Sequence, residues 1–271
     1  MKKTSALRPW FYKYKIVDMI YRCLSKYNLL LFLLLISINV TAQNLRVAVA
    51  ANASFVLQQL KADFKKKTGI SIEVISGSSG KLATQIKNGA PYDLFLSADM
   101  GFAEDVYKAG FSSIKPRIYA SGSLIVCSST GADLKNWKSL VTDGKSGKVA
   151  IGNPALAPYG KAAEQAMNHY HIYKKAAPQL VFGESISQVN TYVLKKAVNI
   201  GFTTESLVYE LPSNADMKWL RVDRAAYAPI HQGVLLLKHA NSNLANCKRF
   251  YDYLFSAGAK KIFKAYGYST I

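Results

Sequence analysis

The sequence predicts an α/β protein of two doubly wound lobes facing a crevice, and three observations carry that expectation. Short apolar runs alternate with helical stripes in the order βαβαβα, and a second such series follows the first. No long linker, repeat or low-complexity segment separates the two series. Four strand-to-helix turns are filled by small polar residues: Ala51-Asn52-Ala53-Ser54, Gly77-Ser78-Ser79-Gly80, Pro158-Tyr159-Gly160 and Glu184-Ser185-Ile186-Ser187.

Each element has its own warrant. Leu45 to Ala50 is apolar throughout and ends in small residues, as a buried parallel strand should. Phe55, Leu57, Leu60 and Phe64 form a helical stripe over Phe55 to Lys66, which Gly69 closes. Ile70 to Ile75 reads as a strand, and Lys81 to Asn88 as a helix ended by Gly89-Ala90-Pro91. Leu94 to Leu96 is a third strand, and Ala103 to Ala109 a helix stopped by Gly110. The second series starts at Ser123 to Ser128. It continues through a strand at Val149 to Gly152, a helix at Lys161 to Asn168 and a strand at Gln179 to Phe182. A helix at Ser187 to Ala197 and a strand at Ile200 to Thr203 follow, and the unit ends near Trp219 to Val222. A strand at Gly233 to Leu237 and helices at Leu244 to Phe255 and Ala259 to Tyr266 finish the chain. Phe250, Leu254, Ile262 and Phe263 read as core packing.

Composition narrows the function. Leu29 to Ile38 is an uninterrupted apolar run of signal-peptide length, too short to span a bilayer comfortably. Arg22 and Lys26 precede it and Val40-Thr41-Ala42 follows as a small-x-small cleavage pattern. Residues 1–42 therefore read as a cleaved leader, with Met19 an alternative start and the mature chain beginning near Gln43; an uncleaved anchor is the alternative. No Cys lies just after the apolar run, and Cys23 is on its wrong side, so no lipid anchor is expected and export points to a periplasm. Cys127 and Cys247 could pair in an oxidising compartment, but their apolar settings favour buried free thiols.

Net charge is +19, of which the leader's seven Lys or Arg and its single Asp leave +13 for the rest. The basic residues are scattered over helix faces, as at Lys61, Lys65, Lys66 and Lys67, or Lys260, Lys261 and Lys264. No arginine-rich stripe interleaves with aromatics, so a solvated basic surface is expected and a nucleic-acid site is not. A positive field also speeds capture of an anion.

The four small-residue turns suit that ligand class. A helix N-terminus presents unpaired N–H groups and the positive end of the macrodipole, so it holds an anion without a basic side chain. In open α/β sheets such turns fall at the carboxyl ends of strands, where ligands bind. Simpler readings compete. Asn52 and Ser79 suit helix caps, as do Ser185 and Ser187, and Asp93 and Asp99 read as turn or cap residues. Gly77 to Lys81 lacks the glycine and hydroxyl of a phosphate loop, with Ile75 and Leu82 in their places. G-x-S-x-G spacing is absent around Ser78 and Ser79, which speaks against a serine nucleophile. His169, His171, His231 and His239 show no ligand spacing, so neither a metal site nor a catalytic base is expected. His231 reads as structural in a crossover strand.

Five segments carry a family resemblance: Val47 to Ser54 (VAVAANAS), Ser76 to Asp99 (SGSSGKLATQIKNGAPYDLFLSAD), Ile151 to Ala166 (IGNPALAPYGKAAEQA), Gly201-Phe202, and Phe250 to Tyr268 (FYDYLFSAGAKKIFKAYGY). Through them the chain resembles the periplasmic molybdate-binding proteins of ABC transporters, from Leu45 to the end. The resemblance implies the type II periplasmic-binding fold: two lobes joined by two crossover strands, residues 43–121 with 230–271, and 122–229, and the ligand in the cleft. It implies contacts to a tetrahedral oxyanion, molybdate or tungstate, from Asn52, Ser79, Tyr159 and the backbone N–H of Ile186. Ala51, Ala53 and Ser78 are further candidates. The family's late-strand Tyr is here Thr204, a doubtful ligand whose phenol Tyr159 could supply. The resemblance further implies a monomer without cofactor or catalysis that hands its anion to an inner-membrane ABC permease. The closest rival is a same-fold receptor for sulfate or another small anion; an exported hydrolase is more distant.

Overall fold

Six residues, Leu45–Ala50, open the molecule as strand β1, and the near-absence of polar side chains in them places the strand in the middle of a sheet. The computed structural model describes residues 44–145, 147–238 and 243–270. The expected leader with Cys23, the Met19 and Gln43 starts, and His239 lie outside the described residues.

A 3-10 turn at Ala51–Ala53 leads from β1 into helix α1, Ser54–Thr68. Gly69 ends that helix with φ of 74°, the left-handed conformation that only glycine adopts without strain. The buried stripe of α1 is Val56, Leu57, Leu60 and Phe64. Phe55 does not belong to it: one position early on the helical wheel, it is 41% exposed and packs edge-on against Tyr266. Strand β2 (Ile72–Gly77), helix α2 (Ser79–Lys87), strand β3 (Leu94–Leu96) and helix α3 (Met100–Lys108) complete the first series. Asp99 caps α3 by accepting from the Phe102 N–H at 3.0 Å, and Asp93 accepts from the Arg46 N–H at 2.7 Å. Both are the structural residues expected.

Strand β4 (Arg117–Gly122) runs almost directly into β5 (Leu124–Ser128), and the two belong to different sheets. After the short helix α4 (Trp137–Leu140) come β6 (Val149–Gly152), α5 (Pro158–His169), α6 (Tyr173–Ala176) and β7 (Leu180–Gly183). Then follow α7 (Ile186–Leu194), β8 (Ile200–Thr204), α8 (Ser206–Glu210) and β9 (Lys218–Arg221). Strand β10 (Ile230–Leu236) returns to the first sheet, and α9 (Leu244–Tyr253) and α10 (Ala257–Ala265) pack on it.

Two five-stranded sheets result, ordered β2-β1-β3-β10-β4 and β7-β6-β8-β5-β9. Each is parallel over three strands and antiparallel over the two that the crossovers bring in. The fold class is that expected, two wound α/β lobes joined by two crossovers, with the refinement that both sheets are mixed. Both faces of each sheet are covered by apolar clusters that include Phe250, Leu254 and Phe263 on the first and Phe202 and Met167 on the second. Cys127 and Cys247 are buried free thiols, and burial pushes both up to about 12, so neither is a ready nucleophile. His231 lies on β10, its Nδ1 2.8 Å from the Ser121 Oγ, as befits a structural role. Among the described residues, no helix is long and apolar enough to cross a membrane.

Candidate functional site

The parallel strands of both sheets end toward one another, and the turns that follow them meet. Around their meeting point lies a small cavity. From the first sheet come Ala50, Ala51, Asn52, Ser78, Ser79 and Ala98; from the second come Ala157, Pro158, Tyr159 and Ile186. All four principal candidates, Asn52, Ser79, Tyr159 and Ile186, therefore line one cavity. Of the further candidates, Ala51 and Ser78 line the cavity, whereas Ala53 and Thr204 do not. Among the lining residues none carries a formal charge.

Local chemistry explains why donors face this space. The 3-10 turn at 51–53 starts without a side-chain cap, and so do α5 at Ala157 and α7 at Ser185. An uncapped N-terminus leaves its first N–H groups for another acceptor. Ser185 and Ser187 were expected as caps, yet Ser185, in the cap position, makes no capping bond. At α2 the cap is Ser78, whose Oγ accepts from the Lys81 N–H, and this frees Ser79. The Ser79 Oγ accepts from the Ala98 N–H at 2.9 Å, so its hydroxyl proton is available to a further acceptor.

Tyr159 reaches the cavity because α5 starts almost in contact with β6. A Cβ on Gly160 would lie 2.0 Å from the Gly152 carbonyl oxygen, so nothing larger than glycine permits that approach. Tyr159 is wholly buried, and burial, with the Tyr268 hydroxyl nearby, pushes its phenol well above the usual range. It is accordingly a proton donor at any physiological pH. Thr204, which does not line the cavity, directs its Oγ1 to the Ser206 Oγ at 3.4 Å.

Asn52 is oriented differently from a simple side-chain ligand. Its Nδ2 donates to the Gln232 Oε1 at 3.0 Å and to the Tyr268 hydroxyl at 3.2 Å. Both amide protons are thereby committed away from a guest, and the residue offers its backbone N–H at the 3-10 turn instead. The Asn52 carbonyl in turn accepts from Tyr268 at 2.6 Å and from the Ser206 Oγ at 3.0 Å. Gln232, Tyr119 and Tyr268 escaped the sequence reading. The one available signal was Gln232 itself, a glutamine set directly before the run Gly233-Val234-Leu235-Leu236.

The two sheets also touch around the cavity. The Gly80 N–H donates to the Leu156 carbonyl at 3.0 Å, and Lys81 pairs with Glu184 at 2.7 Å. Ala50 and Ala98 pack in one apolar cluster with Tyr159 and Ile186. Among the described residues no group of three or more His, Cys, Asp or Glu could hold a metal ion.

Residues 45–269 match the bacterial extracellular solute-binding protein family. The chain belongs to that family. It is 34% identical to the molybdate-binding protein ModA of Rhodobacter capsulatus over 82% of this chain and 87% of the relative. It is 31% identical to ModA of Azotobacter vinelandii over 84% and 90% of the two chains. The solved Azotobacter vinelandii periplasmic molybdate-binding protein superposes with a TM-score of 0.75 at 30% identity, covering 84% of this chain and all of that one.

Proposed function

We propose that this solute-binding protein captures molybdate, and tungstate with it, in a periplasm and hands the anion to an ABC permease without bond-making chemistry. The observation that carries the reading is the small cavity bounded by uncharged donors from both sheets. A dianion stripped of water costs many kcal/mol unless each oxygen receives donors, and charge-assisted hydrogen bonds are about twice as strong as neutral ones. The Ser79 hydroxyl, the Tyr159 phenol and the main-chain N–H groups of Asn52 and Ile186 are the ligand set, with Ala51 and Ser78 beside them. Residues 43–121 with 230–271 form one lobe and 122–229 the other, closing on the guest as a monomer. The similarity to molybdate-binding proteins supports molybdate over sulfate as the cargo.

Neutral donors satisfy a fully ionised oxyanion and leave a protonated one, such as hydrogen phosphate, with a proton to place. Cavity size separates molybdate and tungstate from the smaller sulfate. The test is thermal denaturation and calorimetry with the purified protein against a panel of oxyanions. Molybdate and tungstate should raise Tm by several degrees at saturating concentration, sulfate and phosphate much less. No shift with either metal oxyanion overturns the reading; a stronger response to sulfate favours the sulfate receptor.

A further inference from the structure

Gln232 lies outside the cavity and is wholly buried, yet it bonds to cavity residues of both lobes. Its Oε1 accepts from the Tyr119 hydroxyl at 2.7 Å and from the Asn52 Nδ2 at 3.0 Å. Its Nε2 faces the Tyr159 hydroxyl at 3.5 Å. These partners fix which end of the carboxamide points where. A flipped Gln232 would set its NH₂ against the NH₂ of Asn52, and Asn52 cannot flip in response. Its Nδ2 already donates to the Tyr268 hydroxyl, whose own proton goes to the Asn52 carbonyl.

The backbone is shaped for this side chain. The register of β10 against β4 slips between Gln232 and Gly233. A bulge bends the strand and re-aims the side chain at that point, at the expense of ladder regularity. Gly233 follows because a Cβ there would meet the Ala103 Cβ and the Met100 Sδ at 2.9 Å. The distortion falls on the strand that re-enters the first sheet from the second, next to the crossover.

We infer that Gln232 is a positioning residue for the oxyanion: one carboxamide holds the Asn52 turn of the first lobe and the Tyr159 phenol of the second, and so sets the donor spacing that selects the anion. The inference rests on the proposed oxyanion reading. Gln232 does not touch the guest. It accepts from the Asn52 amide, which fixes the 51–53 turn and the aim of its N–H groups. It donates toward Tyr159, which leaves the phenol proton free to point into the cavity. A change at position 232 should therefore alter the relative affinity for anions of different radius.

The experiment is calorimetry of molybdate and sulfate on the full protein and on Gln232→Met, Tyr159→Phe, their double variant and Tyr119→Phe. Gln232→Met keeps the volume and removes both sets of bonds. It should weaken molybdate about 10- to 100-fold and narrow the molybdate-to-sulfate ratio. Tyr159→Phe should cost much less in the Gln232→Met background than alone, because the phenol it removes is already misdirected. Tyr119→Phe deletes a single hydroxyl that holds Gln232 and serves where Gln232→Met does not fold. It should weaken molybdate about threefold and shift the ratio in the same direction. Molybdate binding within twofold of wild type in Gln232→Met, or full additivity with Tyr159→Phe, overturns the inference. So does an unchanged anion ratio in Tyr119→Phe. If the wild-type protein binds neither molybdate nor tungstate, the oxyanion reading fails first and this inference with it. If wild type binds and the Gln232 variants match it, only the positioning role is lost.

Discussion

Two of the hollows where the lobes meet are made of opposite materials. The smaller is lined by alanines, serines, Asn52, Pro158, Tyr159 and Ile186. The larger, about 620 Å³, opens between the starts of α3 and α5 and is lined by Asp99, Asp105 and Glu164 with only Lys161 opposing them. Size alone would choose the second. Charge chooses the first, because a dianion in a groove with three carboxyl groups meets repulsion, whereas uncharged N–H and O–H donors attract it without a competing anion. The contrast teaches that a receptor for a small dianion need not display a cation. It can hold open helix ends and hydroxyls in a space that excludes carboxylates.

Placing one carboxylate in the small hollow should break the arrangement most severely. At an effective dielectric of about 20, two unit charges 4 Å apart repel by about 4 kcal/mol, a factor of about a thousand in affinity. Ser79→Asp should lose at least that much molybdate binding by calorimetry. Asp105→Asn, which removes a carboxylate from the larger groove, should stay within about twofold. Asp105 already pairs with Lys87 at 2.6 Å, so its loss changes the field at the small hollow little. Binding retained by Ser79→Asp, or lost by Asp105→Asn, would reverse the assignment of the two hollows.

Next in size is a steric test of the small hollow. A Cβ on Gly122 would lie 1.9 Å from the Tyr159 hydroxyl and 3.1 Å from the Gln232 Nε2. Tyr159 has no exposed surface into which to retreat. Gly122→Ala should therefore displace the phenol and weaken molybdate about 10- to 30-fold, and overpacking should lower stability by about 1–3 kcal/mol. Comparing calorimetric affinity with the Tm of the ligand-free protein separates the two effects. Wild-type affinity in Gly122→Ala would show that the phenol is not part of the ligand set.

How much of this was legible beforehand depends on sequence distance. The four turns could be read because a strand, a small-residue turn and a helix are all local, and Pro158 at the first position of α5 marks its start. Strands β1, β3 and β6 were placed to the residue, since continuous apolar runs bounded by turn residues have one reading. Helix α8 was missed because five residues beginning after Glu205 carry neither a side-chain cap nor a periodic stripe. Which way the Asn52 amide turns could not be read from the sequence. The partners that turn it away, Gln232 and Tyr268, are 180 and 216 positions distant, and only the folded crossover brings them close. Local pattern thus located the hollow, while long-range bonds decided which atoms face it.

A carboxyl group also stands behind the small hollow, and its protonation sharpens the comparison. The Ser206 Oγ lies 3.1 Å from the Glu210 Oε1 and 3.0 Å from the Asn52 carbonyl. Burial pushes Glu210 up to about 7, against an ordinary value of 4.5. Between those values the native protein holds a proton that the unfolded chain has lost, so this contribution to stability is complete below about 4.5 and is lost as pH rises to about 7. At Glu205 burial acts upward, but the Arg221 guanidinium outweighs it and brings the group below its usual range, so it titrates outside that window. Glu210→Gln should remove the slope: Tm of wild type should fall relative to the variant between pH 5 and pH 8. Parallel Tm profiles would mean that Glu210 ionises freely and that the small hollow tolerates a neighbouring anion.

The smallest effect is expected at the rim, where the lobes touch through Lys81 and Glu184. Both side chains are about half exposed, at 52% and 51%, and an exposed pair contributes about 1 kcal/mol or less. Lys81 carries a cation beside the α2 turn that also bears Ser79, so a receptor relying on charge would depend on it heavily. A receptor relying on uncharged donors would not. Lys81→Ala should weaken molybdate no more than about threefold, and added salt should shrink the difference, because screening acts on exposed pairs first. Gly80, one residue earlier, offers the internal control: its N–H donates to the Leu156 carbonyl, and a Cβ would press on the Leu156 Cα at 3.1 Å and the Phe102 ring at 3.0 Å. Gly80→Ala should therefore impair binding more than Lys81→Ala does, although it removes no charge. The reverse order would restore electrostatic attraction as the main force and undo the distinction between the two hollows.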